Sequence, residues 1–110
     1  MIAGVQEASN QRRLIERWES WIEEMETHPL DQFEYLGALE LRDELAWCLE
    51  VGDDQVAMDA VSDLDARFEV VTTEDGRFAR HFAAQAGIGW WWQRMPADPE
   101  AQRYITQDWR

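Results

Sequence analysis

The sequence predicts an all-α protein: an antiparallel three-helix bundle with helices at about 10–27, 31–51 and 54–71, a short C-terminal helix and an extended aromatic tail laid across it. Two observations carry this. Apolar residues recur at helical spacing through three successive segments. Capping and breaking residues then separate those segments by only a few positions, which makes consecutive helices antiparallel neighbours. At 110 residues the chain fits a single domain with a core of its own.

The stretch Leu30–Val51 is the most apolar of helix length. Tyr35, Ala38, Leu39, Leu45, Ala46 and Leu49 spread over about a third of its circumference at ~100° per residue, and Leu36 and Trp47 widen that surface. Such breadth predicts the central helix of the bundle. Asp31 is its expected N-cap, with Glu34 completing a capping box and Leu30 stapling onto Tyr35. Gly52 is expected to end it as a left-handed C′ residue.

Residues 1–8 show no period and are expected to be frayed or loosely packed. Ser9 or Asn10 then caps a first helix whose Leu14, Ile15, Trp18, Trp21, Ile22 and Met25 fall within an arc of about 120°. His28-Pro29 ends it, since proline disfavours helical geometry in the residue before it. Asp53 or Asp54 caps a third helix, where Ala57, Val61, Leu64, Phe68 and Val71 share one face. Asp59, Ser62, Asp65 and Glu69 take the opposite face, with Asp63 at its edge. The expected core is Leu14, Trp18, Trp21, Leu39, Leu45, Leu49, Val61, Leu64 and Phe68.

Beyond Val71 two readings compete. Phe68–Thr73, a Glu74-Asp75-Gly76 turn and Arg77–Phe82 suit a β-hairpin, but the helical spacing carries through to Val71 and favours a helix ending there. Residues 78–86 suit a short fourth helix closed by Gly87; Gly89, Pro96 and Pro99 predict an extended or turned tail, with a last helical turn at Glu100–Tyr104.

Charge narrows the function classes. The net charge of −13 is concentrated in residues 31–75, where fourteen acids stand against two arginines, net −12. A field of that sign excludes direct binding of nucleic acid or anionic membrane and suits a basic protein partner. Asp59, Asp63, Asp65 and Glu69 are the acidic-surface candidates. The same acids suggest a second binding role, mimicry of nucleic-acid phosphates toward a DNA-binding protein. No apolar run approaches the ~20 residues of a membrane span, and a basic-then-apolar leader is absent. The lone Cys48 forms no intramolecular disulfide, so a reducing cytoplasm is the expected compartment.

Enzyme motifs are scarce. No GxSxG, CxxC or HExxH occurs, and His28 and His81 are the only histidines, so neither a nucleophilic triad, a zinc site nor any other cofactor is expected. Glu23, Glu24 and Glu26 followed by Glu40 and Asp43 faintly resemble the EExxE and ExxD pattern of the all-α nucleotide pyrophosphohydrolases, which implies magnesium-dependent nucleotide hydrolysis as a third possible role. The pattern breaks at Thr27, where the third acid belongs, and the acids fall on the wet faces of their helices.

The tail is the least ordinary stretch: Trp90-Trp91-Trp92 followed by Arg94 and Met95. Trp, Arg and Met are enriched where proteins dock, and these five residues are the candidate partner-binding set. In an extended chain Trp90 and Trp92 share one face and Trp91 takes the other, so at least one ring is expected to remain exposed. The competing reading is a core plug closing the open end of the bundle. The sequence therefore predicts a small acidic interaction module of the inhibitor, immunity or accessory type, docking on a protein partner or on a second copy of itself.

Overall fold

The computed structural model describes the backbone of residues 2–109 and the side chains of residues 10–109. It is 72% helical, with three long helices packed as a bundle. Helix α1 spans Ile2–Thr27, α2 Gln32–Val51 and α3 Gln55–Val71. A short strand β1, Thr72–Glu74, leads to α4 at Arg77–His81; a 3-10 turn at Trp90–Gln93 then precedes β2, Arg94–Pro96, and α5, Pro99–Thr106.

The helix boundaries follow their capping chemistry. Asp31 Oδ1 accepts from the Phe33 and Glu34 amides at 2.9 and 2.8 Å, while Glu34 Oε1 accepts from the Asp31 amide at 3.0 Å. Asp54 caps α3 by accepting from the Ala57 amide at 3.1 Å. Gly52 ends α2 differently from expectation: its φ of −91° and ψ of 159° are extended, and its amide donates to Cys48 O at 3.0 Å. Helix α1 starts at Ile2, seven or eight residues before the expected cap at Ser9 or Asn10, because an established helix gains a hydrogen bond for every residue it adds and needs no apolar period to continue. The expected loose packing of residues 1–8 concerns side chains outside the described residues.

Helix α1, rather than α2, is the middle of the bundle. It lies against both α2 and α3, whereas α2 and α3 diverge from their short link at 52–54. The 3-10 turn and α5 also pack on α2, and Trp90 of the turn reaches Phe68 on α3. Of the expected core, Leu14, Trp18, Leu39, Leu45, Val61, Leu64 and Phe68 are buried, while Trp21 and Leu49 are half-buried at its edge. Trp47, expected to widen the buried face of α2, stands 65% exposed.

Helix three does run to Val71, but Thr72–Glu74 is a strand, and its partner comes from the tail. β1 pairs antiparallel with β2, Thr72 opposite Pro96, Thr73 opposite Met95 and Glu74 opposite Arg94. The fourth helix stops at His81 and breaks into turns, four residues after it starts. The helical turn expected at Glu100–Tyr104 is present as α5, capped by Asp98 accepting from the Ala101 amide at 3.1 Å with Pro99 in its first turn, whereas the tryptophan stretch expected to be extended winds into the 3-10 turn. Trp91, Trp92, Met95 and Ile105 complete the core.

Candidate functional site

The three consecutive tryptophans sit on the 3-10 turn, which steps about 120° per residue, so the alternation of an extended chain does not apply. Trp91 and Trp92 turn inward and are 6% and 0% exposed; Trp90 turns outward at 40%. The inward pair is Trp91 with Trp92, in place of the expected Trp90 with Trp92. What fixes them is one carboxylate on α2. Asp43 Oδ1 accepts from both indole Nε1–H groups at 2.9 Å, which satisfies two donors that burial would otherwise strand. The approach to this clamp is tight: a Cβ on Gly87 would meet Asp43 Oδ2 at 2.8 Å, and one on Gly89 would collide with the Trp91 ring.

A second polar anchor spans the opening between α2 and α3. Arg42 on α2 binds Asp65 on α3 bidentately, Nε to Oδ1 at 3.0 Å and Nη2 to Oδ2 at 2.8 Å. Trp18 Nε1 on α1 donates to Asp65 Oδ1 at 3.1 Å, so all three long helices meet at this carboxylate. The Arg42 guanidinium lies 4.1 Å above the Trp91 ring, a cation–π contact, and its Nη1 has no protein acceptor. Asp65 therefore leaves the acidic-surface set: it is an interior ligand for an arginine.

Arg94 and Met95 are also turned to internal work. Arg94 Nε donates to Thr72 Oγ1 at 2.8 Å and its Nη2 to Thr72 O and Glu69 O at 3.0 and 3.2 Å, capping carbonyls at the C-terminus of α3. Tyr35 donates its hydroxyl to Arg94 O at 2.8 Å, and burial pushes that phenol well above its ordinary range. Met95 is fully buried. Of the five candidate docking residues, Trp91, Trp92 and Met95 are core, Arg94 is a strut, and Trp90 alone presents its side chain broadly to solvent.

Trp90 walls a concavity of about 530 Å³ lined by Glu69, Glu74, Asp75, Gly76, Gln93 and Arg94. The ring packs on Phe68 with centroids 6.0 Å apart and edge-on to Trp91 at 5.7 Å, so its position is defined although it is exposed. Hydrogen bonds from Arg77 hold the Asp75 carboxyl below the ordinary carboxylate range, and the Arg77 guanidinium 2.8 Å away balances its charge. Glu69 and Glu74 are exposed, and among the described residues their carboxylates have no ion pair or hydrogen bond. Asp59, which accepts from Gln55 Nε2 at 2.9 Å, and Asp63 lie exposed further back along α3.

The acids that resemble a hydrolase pattern do not converge. Glu23, Glu24 and Glu40 are exposed, Glu26 accepts from Arg67 at 2.7 Å, and Asp43 holds the indoles. Among the described residues no group of three or more His, Cys, Asp or Glu is placed to hold a metal ion. His81 stacks on Trp109 with centroids 4.1 Å apart, and His28 is an exposed helix-end residue 3.5 Å from Glu24. No described helix is long and apolar enough to cross a membrane. The chain matches no protein-family model, no curated protein and no solved structure.

Arg42 and Asp43 are the residues that periodicity missed. Arg42 sits in the middle of the stripe Tyr35, Ala38, Leu39, Leu45, Leu49, where a lone charge among apolar positions signals a buried partner. Asp65 carries no such signal, since periodicity groups it with Ser62 and Glu69 and its partner Arg42 lies 23 positions away. Asp43 has no such signal, since its partners lie 48 and 49 positions away.

Proposed function

We propose that the chain is a protein-interaction module that holds a basic segment of a protein partner at the Trp90 concavity. The observation that carries this is the outward tryptophan itself: its two neighbours are clamped inside, while its ring forms the wall of a recess rimmed by two unpaired glutamates. An arginine or lysine of a partner entering there meets an aromatic face and carboxylates together, a combination that recognises cations by cation–π attraction and ion pairing. The overall charge of −13 favours encounter with a basic surface over an acidic one.

The test uses an arginine- and lysine-rich peptide titrated calorimetrically. Binding is expected to weaken at least tenfold in Trp90→Ala and in the double variant Glu69→Gln/Glu74→Gln, with melting of both variants close to wild type, and to weaken as salt rises. Binding untouched by both variants would place the acidic chain's attraction for cations elsewhere and remove this reading.

A further inference from the structure

On the face of the bundle away from the tail, the groove between α1 and α2 is open from Asn10 to Glu24. One part of it, of about 450 Å³, is lined by Arg13, Leu14, Arg17, Glu44, Trp47 and Cys48; the next, of about 400 Å³, is lined by Ser20, Trp21, Glu24 and Glu34, and Arg17 belongs to both. Trp47 is the most exposed tryptophan described, and Val51 one turn on is 57% exposed. This is the broad apolar surface of α2 that the chain leaves uncovered.

The charges along this groove are ordered. Arg13 and Arg17 lie toward one end with Glu44 in the same lining, and among the described residues none of the three has an ion pair or hydrogen bond, so this end is net positive in a chain with more than two acids for every base. Glu24 and Glu34 lie toward the other end; Glu24 has only the exposed His28 beside it, and Glu34 uses one oxygen on the Asp31 amide. Arg17 and Glu24 are separated along the axis by seven residues, about 10 Å. A wholly basic or wholly acidic partner would leave one end of such a groove facing its own sign. A second copy turned end for end matches both ends at once, because a two-fold axis sets the arginine end of each copy on the glutamate end of the other.

We infer that the α1/α2 groove is a homodimer face, in which two copies pack antiparallel with Trp47 and Trp21 buried between them and Arg17 of each chain reaching Glu24 of the other. The surface is separate from the Trp90 concavity, and the two assignments stand or fall independently.

Sedimentation equilibrium over a wide concentration range tests it. The wild type is expected to rise from 13.0 kDa toward twice that mass. Trp47→Ala, Arg17→Glu and Glu24→Arg should each weaken association at least tenfold while keeping the wild-type circular dichroism, since all three positions are at the surface. Mixing Arg17→Glu protein with Glu24→Arg protein should restore a dimer, because every pairing of opposite charge is then re-formed in the mixed species. A mass of 13.0 kDa at every concentration overturns the inference, as does a dimer that either Trp47→Ala or the two charge reversals leave intact, or a mixture that associates no better than its components.

Discussion

Residues 10–71 and residues 72–109 are held by different chemistry, and the difference explains what each tolerates. The first region is stitched by apolar stripes: Leu14, Trp18 and Ile22 on α1 join Leu39 and Leu45 on α2 and Val61, Leu64 and Phe68 on α3 in one cluster. The second has too few residues of regular structure to bury itself; it sends Phe78, Trp91, Trp92, Met95 and Ile105 into that same cluster, and single polar contacts fix where they sit. Asp43 receives two indoles, Tyr35 donates to Arg94 O, Arg94 donates to Glu69 O, and Trp109 donates to Gln32 Oε1 at 3.0 Å. Stripes degrade gradually with lost volume. A single acceptor serving two buried donors fails at once when removed.

The largest effects are expected where the two kinds of chemistry meet. Trp92→Ala removes a fully buried ring and should cost about 3–5 kcal/mol, against about 2–5 kcal/mol for Leu45→Ala in the apolar stripes. Asp65→Ala should match Trp92→Ala at about 3–5 kcal/mol, because it leaves Arg42 buried without its partner. The double change Arg42→Met/Asp65→Leu should be far milder than Asp65→Ala alone. Urea melts of the four variants decide this; an Asp65→Ala protein as stable as the double variant would mean the ion pair is not what joins α2 to α3.

Asp43 comes next. As a residue on the wet side of an over-acidic helix it would be expected to gain stability on neutralisation, since repulsion falls. As the shared acceptor of Trp91 and Trp92 it should lose about 1–3 kcal/mol in Asp43→Ala and less in Asp43→Asn, which keeps one carbonyl oxygen. Thermal melting separates the two, and a higher midpoint for Asp43→Asn would break the clamp.

Tyr35 supplies a pH test of the same join. In the folded state burial raises its pKa above that of the unfolded chain, so the protonated phenol is favoured by folding. Its contribution is complete below the unfolded value of about 10 and is lost as pH rises above it, because the unfolded state then releases a proton that the folded state keeps. Tyr35→Phe should lose about 0.5–1.5 kcal/mol at neutral pH with its hydrogen bond to Arg94 O, and its stability should fall less steeply above pH ~10 than the wild type's. Parallel alkaline slopes in the two proteins would show that Tyr35 ionises as freely folded as unfolded.

The same division governs how much was legible in the sequence. The long helices, the capping box at Asp31 and Glu34, the His28-Pro29 stop and most of the core follow from local spacing, which is a property of neighbours in the chain. The middle position of α1 does not, since the apolar breadth of α2 has two explanations, burial within the chain and exposure at Trp47. Nor does the pairing of Thr72–Glu74 with Arg94–Pro96, which joins residues about twenty positions apart that each lack a strand-length run. The tryptophan site was half legible. That one ring must face out follows from three rings in a row; which one depends on the 3-10 step, which brings the Trp91 and Trp92 indoles onto Asp43 of another helix.

The smallest expected effect is the one that separates fold from docking. Trp90 is exposed enough that its removal forfeits only part of a ring's burial, chiefly against Phe68 and Trp91, so Trp90→Ala should destabilise by under about 1 kcal/mol. Trp91→Ala and Trp92→Ala should be costly by comparison, since each also leaves Asp43 with one indole fewer. Three single variants measured by urea melting should therefore split as one mild and two severe. Three severe variants would make the stretch a plug in all its rings and deprive the concavity of a free wall. A split with Trp91 as the mild member would return the stretch to extended alternation, with the outward ring on the opposite side from Glu69 and Glu74.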